Sequence, residues 1–243
     1  MNLHLIGLKA VVTGGSAGIG AAIVRVLAEE GCNVCFCARD GSRNSAVLQS
    51  VSDLPGTVTA KTLDVTNQAA FESWLAELAS FDIFIPNVSA LSGNWSSAIS
   101  VDIQATVNAT EAAIPYILQS KQGAITYIGS KASSLAAPQS AAYGAAKAAM
   151  AHYMKSLSSR LLPAARVNTV SPGDTFVDGG FWNQVRDQDP EAFARVVARN
   201  PLNRLANPDE IARVVAFLSS PAASFVAGSN WYVDGGSVTH VQV

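Results

Sequence analysis

Short apolar runs alternate with longer amphipathic stretches along the whole chain. The runs at 9–13, 33–38, 57–63, 82–86, 124–129, 166–170 and 230–233 carry almost no charge and have the length of buried strands. Between them, 18–30, 67–80, 95–120, 141–162 and 208–219 show helical spacing, with stops at Gly31 and Pro163. Continuous apolar strands separated by helices predict a parallel sheet covered on both faces. Right-handed crossovers then make it a doubly wound α/β fold, with a ligand crevice at the carboxyl ends of the strands. No linker, repeat or low-complexity tract breaks the pattern, so residues 1–243 are expected to form a single domain. The exception in regularity is 172–205, which holds Gly173, Gly179, Gly180, Pro190 and Pro201 and is expected to be a substrate lid within that domain. Its aromatics, Phe176, Phe181, Trp182 and Phe193, either line a pocket or pack the lid onto the body.

Composition narrows the class. Hydrophobic residues make up 49% of the chain and charged ones 14%, enough apolar surface to offset the entropy of ordering, so disorder is excluded. The net charge of −2 creates no field that favours nucleic acid or an anionic membrane. Low charge with high hydrophobicity points to surface buried in an oligomer. The first residues, Met1 to Gly7, lack a basic segment followed by a long apolar one, and no stretch has the length of a membrane span, so a cytoplasmic location is expected. Cys32-Asn33-Val34-Cys35 has redox spacing, but it lies at the start of a strand and reads as core. His4, His152 and His240 show no ligand spacing, so no metal is expected.

Two groups of residues carry chemistry. Thr13-Gly14-Gly15-Ser16-Ala17-Gly18-Ile19-Gly20 leaves the first strand and opens the first helix. Glycines there permit a tight turn and close backbone approach, and a helix N-terminus offers free N–H groups to a pyrophosphate. Tyr143 and Lys147 stand one helical turn apart, at i and i+4. A cation beside a phenol favours the phenolate and would bring its pKa toward working pH. Ser130, just beyond the fifth strand, is placed to donate a hydrogen bond to a carbonyl oxygen.

With these motifs the chain resembles the short-chain dehydrogenase/reductases over nearly its whole length. The likeness runs through the Thr13–Gly20 turn, Asp64-Val65, Ser130, Tyr143, Lys147, Asn168, Pro172-Gly173 and Val233-Asp234-Gly235-Gly236. It implies a Rossmann-like dimer or tetramer in which Tyr143 exchanges the proton. Lys147 would hold the nicotinamide ribose and lower the tyrosine pKa, and Ser130 would orient the substrate oxygen. The implied cofactor contacts are Thr13, Gly14, Ser16, Gly18, Ile19, Gly20, Arg39, Asp64, Val65, Asn87, Ser89, Tyr143, Lys147, Pro172, Gly173 and Thr175. Two positions depart from the family pattern. Pro86-Asn87-Val88-Ser89 stands where the family has Asn-Asn-Ala-Gly, and Asp102 where it has a catalytic Asn. Asn108, about 240° further round the helix, cannot replace it.

Cofactor choice turns on the end of the second strand. Ala38 occupies the position of an NAD-selecting carboxylate, and Arg39 after it can clasp a 2′-phosphate, with Arg43 nearby. Asp40 offers the opposite reading, a carboxylate for the ribose hydroxyls. The expectation is NADP(H), with NAD the lesser choice. The expected reaction interconverts a ketone and a secondary alcohol. A 3-oxoacyl thioester (acyl-carrier-protein) reductase is the alternative, and a non-catalytic NADP-binding sensor or scaffold is the alternative of another class. The expected partners are the small carbonyl or alcohol substrate and further copies of the chain, as a homotetramer or homodimer.

Overall fold

The computed structural model describes residues 1–241. Its strands are β1 (Lys9–Thr13), β2 (Asn33–Ala38), β3 (Val58–Thr62), β4 (Ile83–Ile85), β5 (Ala124–Ile128), β6 (Arg166–Pro172) and β7 (Asn230–Val233). All pair in parallel, in the order β3-β2-β1-β4-β5-β6-β7. The chain reverses its direction of travel across the sheet between β1 and β4, which opens a crevice above their carboxyl ends. This is the Rossmann-like single domain that the hydrophobic pattern and the resemblance led one to expect.

Alternate strand residues build a core on each face. Val11, Phe84, Ile125 and Tyr127 face one layer, formed by α3 (Gln68–Leu78), α5 (Thr106–Ile117) and α6 (Ala141–Leu161). Ala10, Val12, Phe36, Ile83 and Ile128 face the other, formed by α1 (Gly18–Glu29) and α9 (Pro208–Ser219). Each large apolar side chain so enclosed contributes about 1.5–3 kcal/mol relative to exposure. Cys32, Cys35 and Cys37 are all free and buried, and burial pushes the Cys32 and Cys37 thiols up to about 12. They are inert core residues.

Three regions differ from the periodicity. The segment α2 (Gly41–Ser50) is a helix that the pattern missed, because Asn44 is its only fully buried residue and no apolar stripe marks it. Asp40 starts it, its Oδ1 accepting the N–H groups of Ser42 (3.0 Å) and Arg43 (3.1 Å). The long helix expected over 95–120 is instead α4 (Trp95–Ser97), a π-helix (Ala98–Ala105) and α5. In the widened stretch, the Thr106 hydroxyl donates to the Val101 carbonyl five residues back, at 3.1 Å. The stretch 172–205 folds into α7 (Phe181–Gln188) and α8 (Pro190–Arg199), the latter capped by Asp189. Phe176 stacks edge-on against Phe193 and Phe181 against Trp182, at 6.0 and 4.9 Å between ring centres. These aromatics pack against one another within 172–205, and Phe176 also lines a cavity beside Gly18 and Asp209.

Arg166 ties the last third of the chain together. Its guanidinium donates to the carbonyls of Leu218 (2.9 Å), Ser220 (2.9 Å) and Val226 (3.2 Å), closing the end of α9 onto β6. Substituting Arg166→Met keeps the apolar stem but strands those acceptors. Each unsatisfied buried acceptor costs about 1–3 kcal/mol. The variant should lose several kcal/mol in urea unfolding, read as a lower midpoint at unchanged slope.

Candidate active site

The turn from β1 into α1 is shaped for close approach. Gly14 and Gly18 sit at φ +71° and +53°, in the left-handed region. A Cβ at Gly20 would lie 2.1 Å from the Gly14 carbonyl oxygen and 2.6 Å from Asn87 Nδ2, so only glycine lets the helix start here. Whereas Asp40, Asn67 and Asn207 cap the N-termini of α2, α3 and α9, Ala17 gives α1 no side-chain cap and its first turn holds no acidic residue. Its free N–H groups and positive dipole end therefore remain available to an anion. The residues present fit a pyrophosphate.

Thr13 and Asn87 brace this turn from beneath. Thr13 is 2% exposed, and its Oγ1 accepts the Asn87 N–H at 3.0 Å. Asn87 Nδ2 donates to the carbonyls of Thr13 (3.0 Å) and Gly14 (3.1 Å). Val88, bulkier than the family's Ala, packs a methyl beneath Gly14. Ser16 and Ile19 are half-buried in the same turn. Ser89 Oγ accepts the Leu91 N–H at 3.2 Å.

At the end of β2, Arg39 is exposed and forms no salt bridge among the described residues. Asp40 is already occupied, capping α2 and facing Arg43 Nε at 3.4 Å. After β3, Asp64 Oδ1 accepts from the Thr66 N–H (2.9 Å) and hydroxyl (2.8 Å), and Val65 is buried. Beyond β6, the Gly173 N–H reaches the Val233 carbonyl at 2.9 Å, and Thr175 Oγ1 donates to the Gly173 carbonyl at 3.1 Å.

Ser130, at the end of β5, is 9% exposed, and its Oγ accepts the Ala132 N–H at 3.1 Å. Tyr143 and Lys147 project from one face of α6, with Lys147 Nζ 5.7 Å from the centre of the Tyr143 ring. Lys147 is 2% exposed, and Nζ donates to the Ile128 carbonyl (3.0 Å) and to Tyr127 Oη (3.1 Å). The π-helix turns Asp102 inward until it is fully buried. Its Oδ2 accepts the Ala90 N–H at 3.3 Å, while Oδ1 has no hydrogen-bond partner among the described residues and stands 3.9 Å from Lys147 Nζ. Asn108 instead accepts from Gln104 (2.8 Å) and donates to Gln68 (3.1 Å).

In this geometry the Tyr143 phenol lies above its ordinary value. Burial is the main cause; the Ser130 hydroxyl draws it down, and the carboxylates of Asp102 and Asp174 push it further up. Burial also brings Lys147 down to about 8, with Asp102 opposing. Sequence reasoning missed Tyr127, which lay inside an apolar strand. It also missed the Lys131–Asp174 pair (2.5 Å) beside Ser130, where Ser237 stands 3.4 Å from Lys131 Nζ.

Comparisons with known proteins identify the family. A family model described as enoyl-(acyl carrier protein) reductase matches residues 14–238. Isoepoxydon dehydrogenase patN of Penicillium expansum is 34% identical, with 95% of this chain and 94% of that protein covered. A 3-oxoacyl-[acyl-carrier-protein] reductase of Chlamydia trachomatis is 31% identical, covering 96% and 98%. L-sorbose reductase from Gluconobacter frateurii, solved with NADPH and L-sorbose, superposes with a TM-score of 0.90 at 26% identity, covering 99% and 100%. An NADPH-bound short chain oxidoreductase from Pseudomonas aeruginosa, described as containing an atypical catalytic center, gives 0.84 at 29% identity, covering 96% and 98%. Its sheet, glycine turn and Ser130–Tyr143–Lys147 set, together with these matches along nearly its full length, place the chain in the short-chain dehydrogenase/reductase family, as an oxidoreductase acting on CH–OH groups.

Proposed function

We propose that the protein is an NADP(H)-dependent oxidoreductase that interconverts a ketone and a secondary alcohol, with Tyr143 as general acid and base. The observation that carries this reading is the convergence of Ser130, Tyr143 and Lys147 at the carboxyl end of β5. When bound, the nicotinamide would supply a hydride to the carbonyl carbon or take one from the carbinol carbon. Ser130 Oγ would donate a hydrogen bond to the substrate oxygen and hold it toward Tyr143. In reduction, Tyr143 Oη gives its proton to that oxygen as the carbonyl π electrons move onto it; in oxidation the phenolate takes the proton back. A raised pKa keeps Tyr143 protonated near neutral pH, the state that reduction requires.

The choice of NADP(H) rests on Arg39, which forms no ion pair among the described residues, next to Asp40, whose carboxylate is engaged by α2 and Arg43. NADPH in the named neighbours supports it. Thr13, Gly14, Ser16, Gly18, Ile19, Gly20, Asp64, Val65, Asn87, Ser89, Pro172, Gly173 and Thr175 complete the proposed cofactor contacts, with 172–205 as the substrate lid. A 3-oxoacyl thioester reductase is the weaker reading, although relatives bear that name. An acidic carrier protein needs a basic face, and here Arg186 pairs with Asp187 while Arg195 faces Asp189 and Glu191. Exposed Phe225, Trp231 and Leu162 offer apolar surface for the proposed homotetramer or homodimer.

Tyr143→Phe should abolish nearly all turnover while NADPH still binds, measured by cofactor fluorescence beside steady-state rates. Substantial residual turnover would show that another group is the acid.

Arg39→Ala should raise the NADPH Michaelis constant by about one to two decades and leave that for NADH unchanged. Equal effects on both would count against NADP(H).

Asp102→Asn removes a negative charge that holds the phenol up, so the basic group seen in alcohol oxidation should move to lower pH with the fold intact. Asp102→Leu, which also strands the Ala90 N–H, should slow turnover at every pH. Profiles matching the parent for both variants would remove Asp102 from the mechanism.

A further inference from the structure

Beneath Lys147 lies a phenol that the proposed reaction leaves unused. Tyr127 is fully buried in β5, on the sheet face that supports α6, and its Oη is 3.1 Å from Lys147 Nζ. An ammonium has three N–H donors and, once buried, needs an acceptor for each. Here the Ile128 carbonyl takes one at 3.0 Å and Tyr127 Oη a second. The Asp102 carboxylate, at 3.9 Å, is outside hydrogen-bond distance and acts on Nζ through charge alone. The titratable and charged groups facing Lys147 are therefore Asp102 from the π-helix, Tyr127 from β5 and Tyr143 from its own helix, with Asp174 reaching as far as Tyr143.

We infer that Tyr127 is a positioning residue for Lys147: its hydroxyl accepts from the ammonium, keeps it charged in a dry site, and aims the remaining N–H at the cleft. The inference rests on the proposed reaction for its meaning but not for its geometry. A hydroxyl on the sheet does what a backbone carbonyl alone cannot do, because the Ile128 oxygen reaches Nζ from one direction only. Two acceptors restrict the swing of the ammonium about its long stem, so the third N–H has a defined direction. Without Tyr127 Oη the charged amine would keep one hydrogen bond and one distant carboxylate. Hydrogen bonds to buried charges favour the charged form, so loss of this acceptor lowers the lysine pKa further below about 8.

The test uses Tyr127→Phe, which keeps the ring and its packing. In protein labelled with 13C-lysine, the Lys147 Cε resonance, assigned by its loss in Lys147→Met, is titrated by NMR. The midpoint should fall by about one pH unit relative to the parent, roughly a tenfold change in the protonation equilibrium. The alkaline limb of kcat/KM for ketone reduction should move down with it, and the rate near pH 6 should approach that of the parent. A purely structural role would lower the unfolding midpoint and depress the rate equally at all pH values. An unmoved Lys147 titration overturns the inference. If Tyr127→Phe does not fold, 3-fluorotyrosine at 127, a weaker acceptor of nearly the same shape, should give a smaller shift of the same sign, and no shift overturns the inference equally. The lysine titration needs no substrate, so its failure is separable from failure of the reaction itself, which Tyr143→Phe reports.

Discussion

Parallel pairing is the constraint from which the rest of the molecule follows. Strands that run the same way cannot be joined by tight turns, so each pair needs a crossover, and a right-handed one places a helix on a face of the sheet. All seven carboxyl ends then lie along one edge. The glycine turn after β1, Arg39 after β2, Asp64 after β3, Asn87 after β4, Ser130 after β5 and Gly173 after β6 stand on that edge for this reason alone. Residues scattered over 160 positions become one site because the ladder permits no other arrangement of their strands (13 to 173).

The second demand is polar. A sheet covered on both faces has no water in which to leave a charge, yet Lys147 and Asp102 both lie inside it. Burying an isolated charge is costly unless it is paired or hydrogen-bonded. The π-helix answers part of this by widening the backbone and turning Asp102 toward Lys147, while Tyr127 and the Ile128 carbonyl supply the short contacts. Among the described residues, one Asp102 carboxylate oxygen still lacks a hydrogen-bond partner. Such incompletely satisfied polar groups concentrate where chemistry is performed, because a site optimised only for stability would carry apolar residues there.

Local and tertiary information divide cleanly along the chain. Strand periodicity was legible wherever a strand is buried on both faces, since an uncharged run of five residues has few other uses. The glycine turn and the Tyr143/Lys147 spacing were legible because their chemistry acts within one turn of backbone or helix. In contrast, α2 was invisible: a helix that buries one asparagine leaves no hydrophobic stripe to read. The π-helix over Ala98–Ala105 was equally hidden, because its residue types suit an ordinary helix and the widening shows only in three-dimensional contacts, such as Thr106 with Val101 and Asp102 with Ala90 and Lys147.

By itself, the sequence determined the element order, the doubly wound class and the short-range motifs, all properties of neighbours along the chain. Only the tertiary structure decided the protonation of the site. Whether the phenol rises or falls depends on how much water reaches Tyr143, on the Ser130 hydroxyl, and on Asp102 and Asp174 brought in from other elements. It also decided that Asp40 caps a helix, and that Tyr127, an apolar-strand residue by its neighbours, accepts a hydrogen bond from the lysine. Hydrogen bonds and charges act through space over a few ångströms, and residues 20 positions apart, such as Tyr127 and Lys147, meet only when a strand and the helix after it pack face to face.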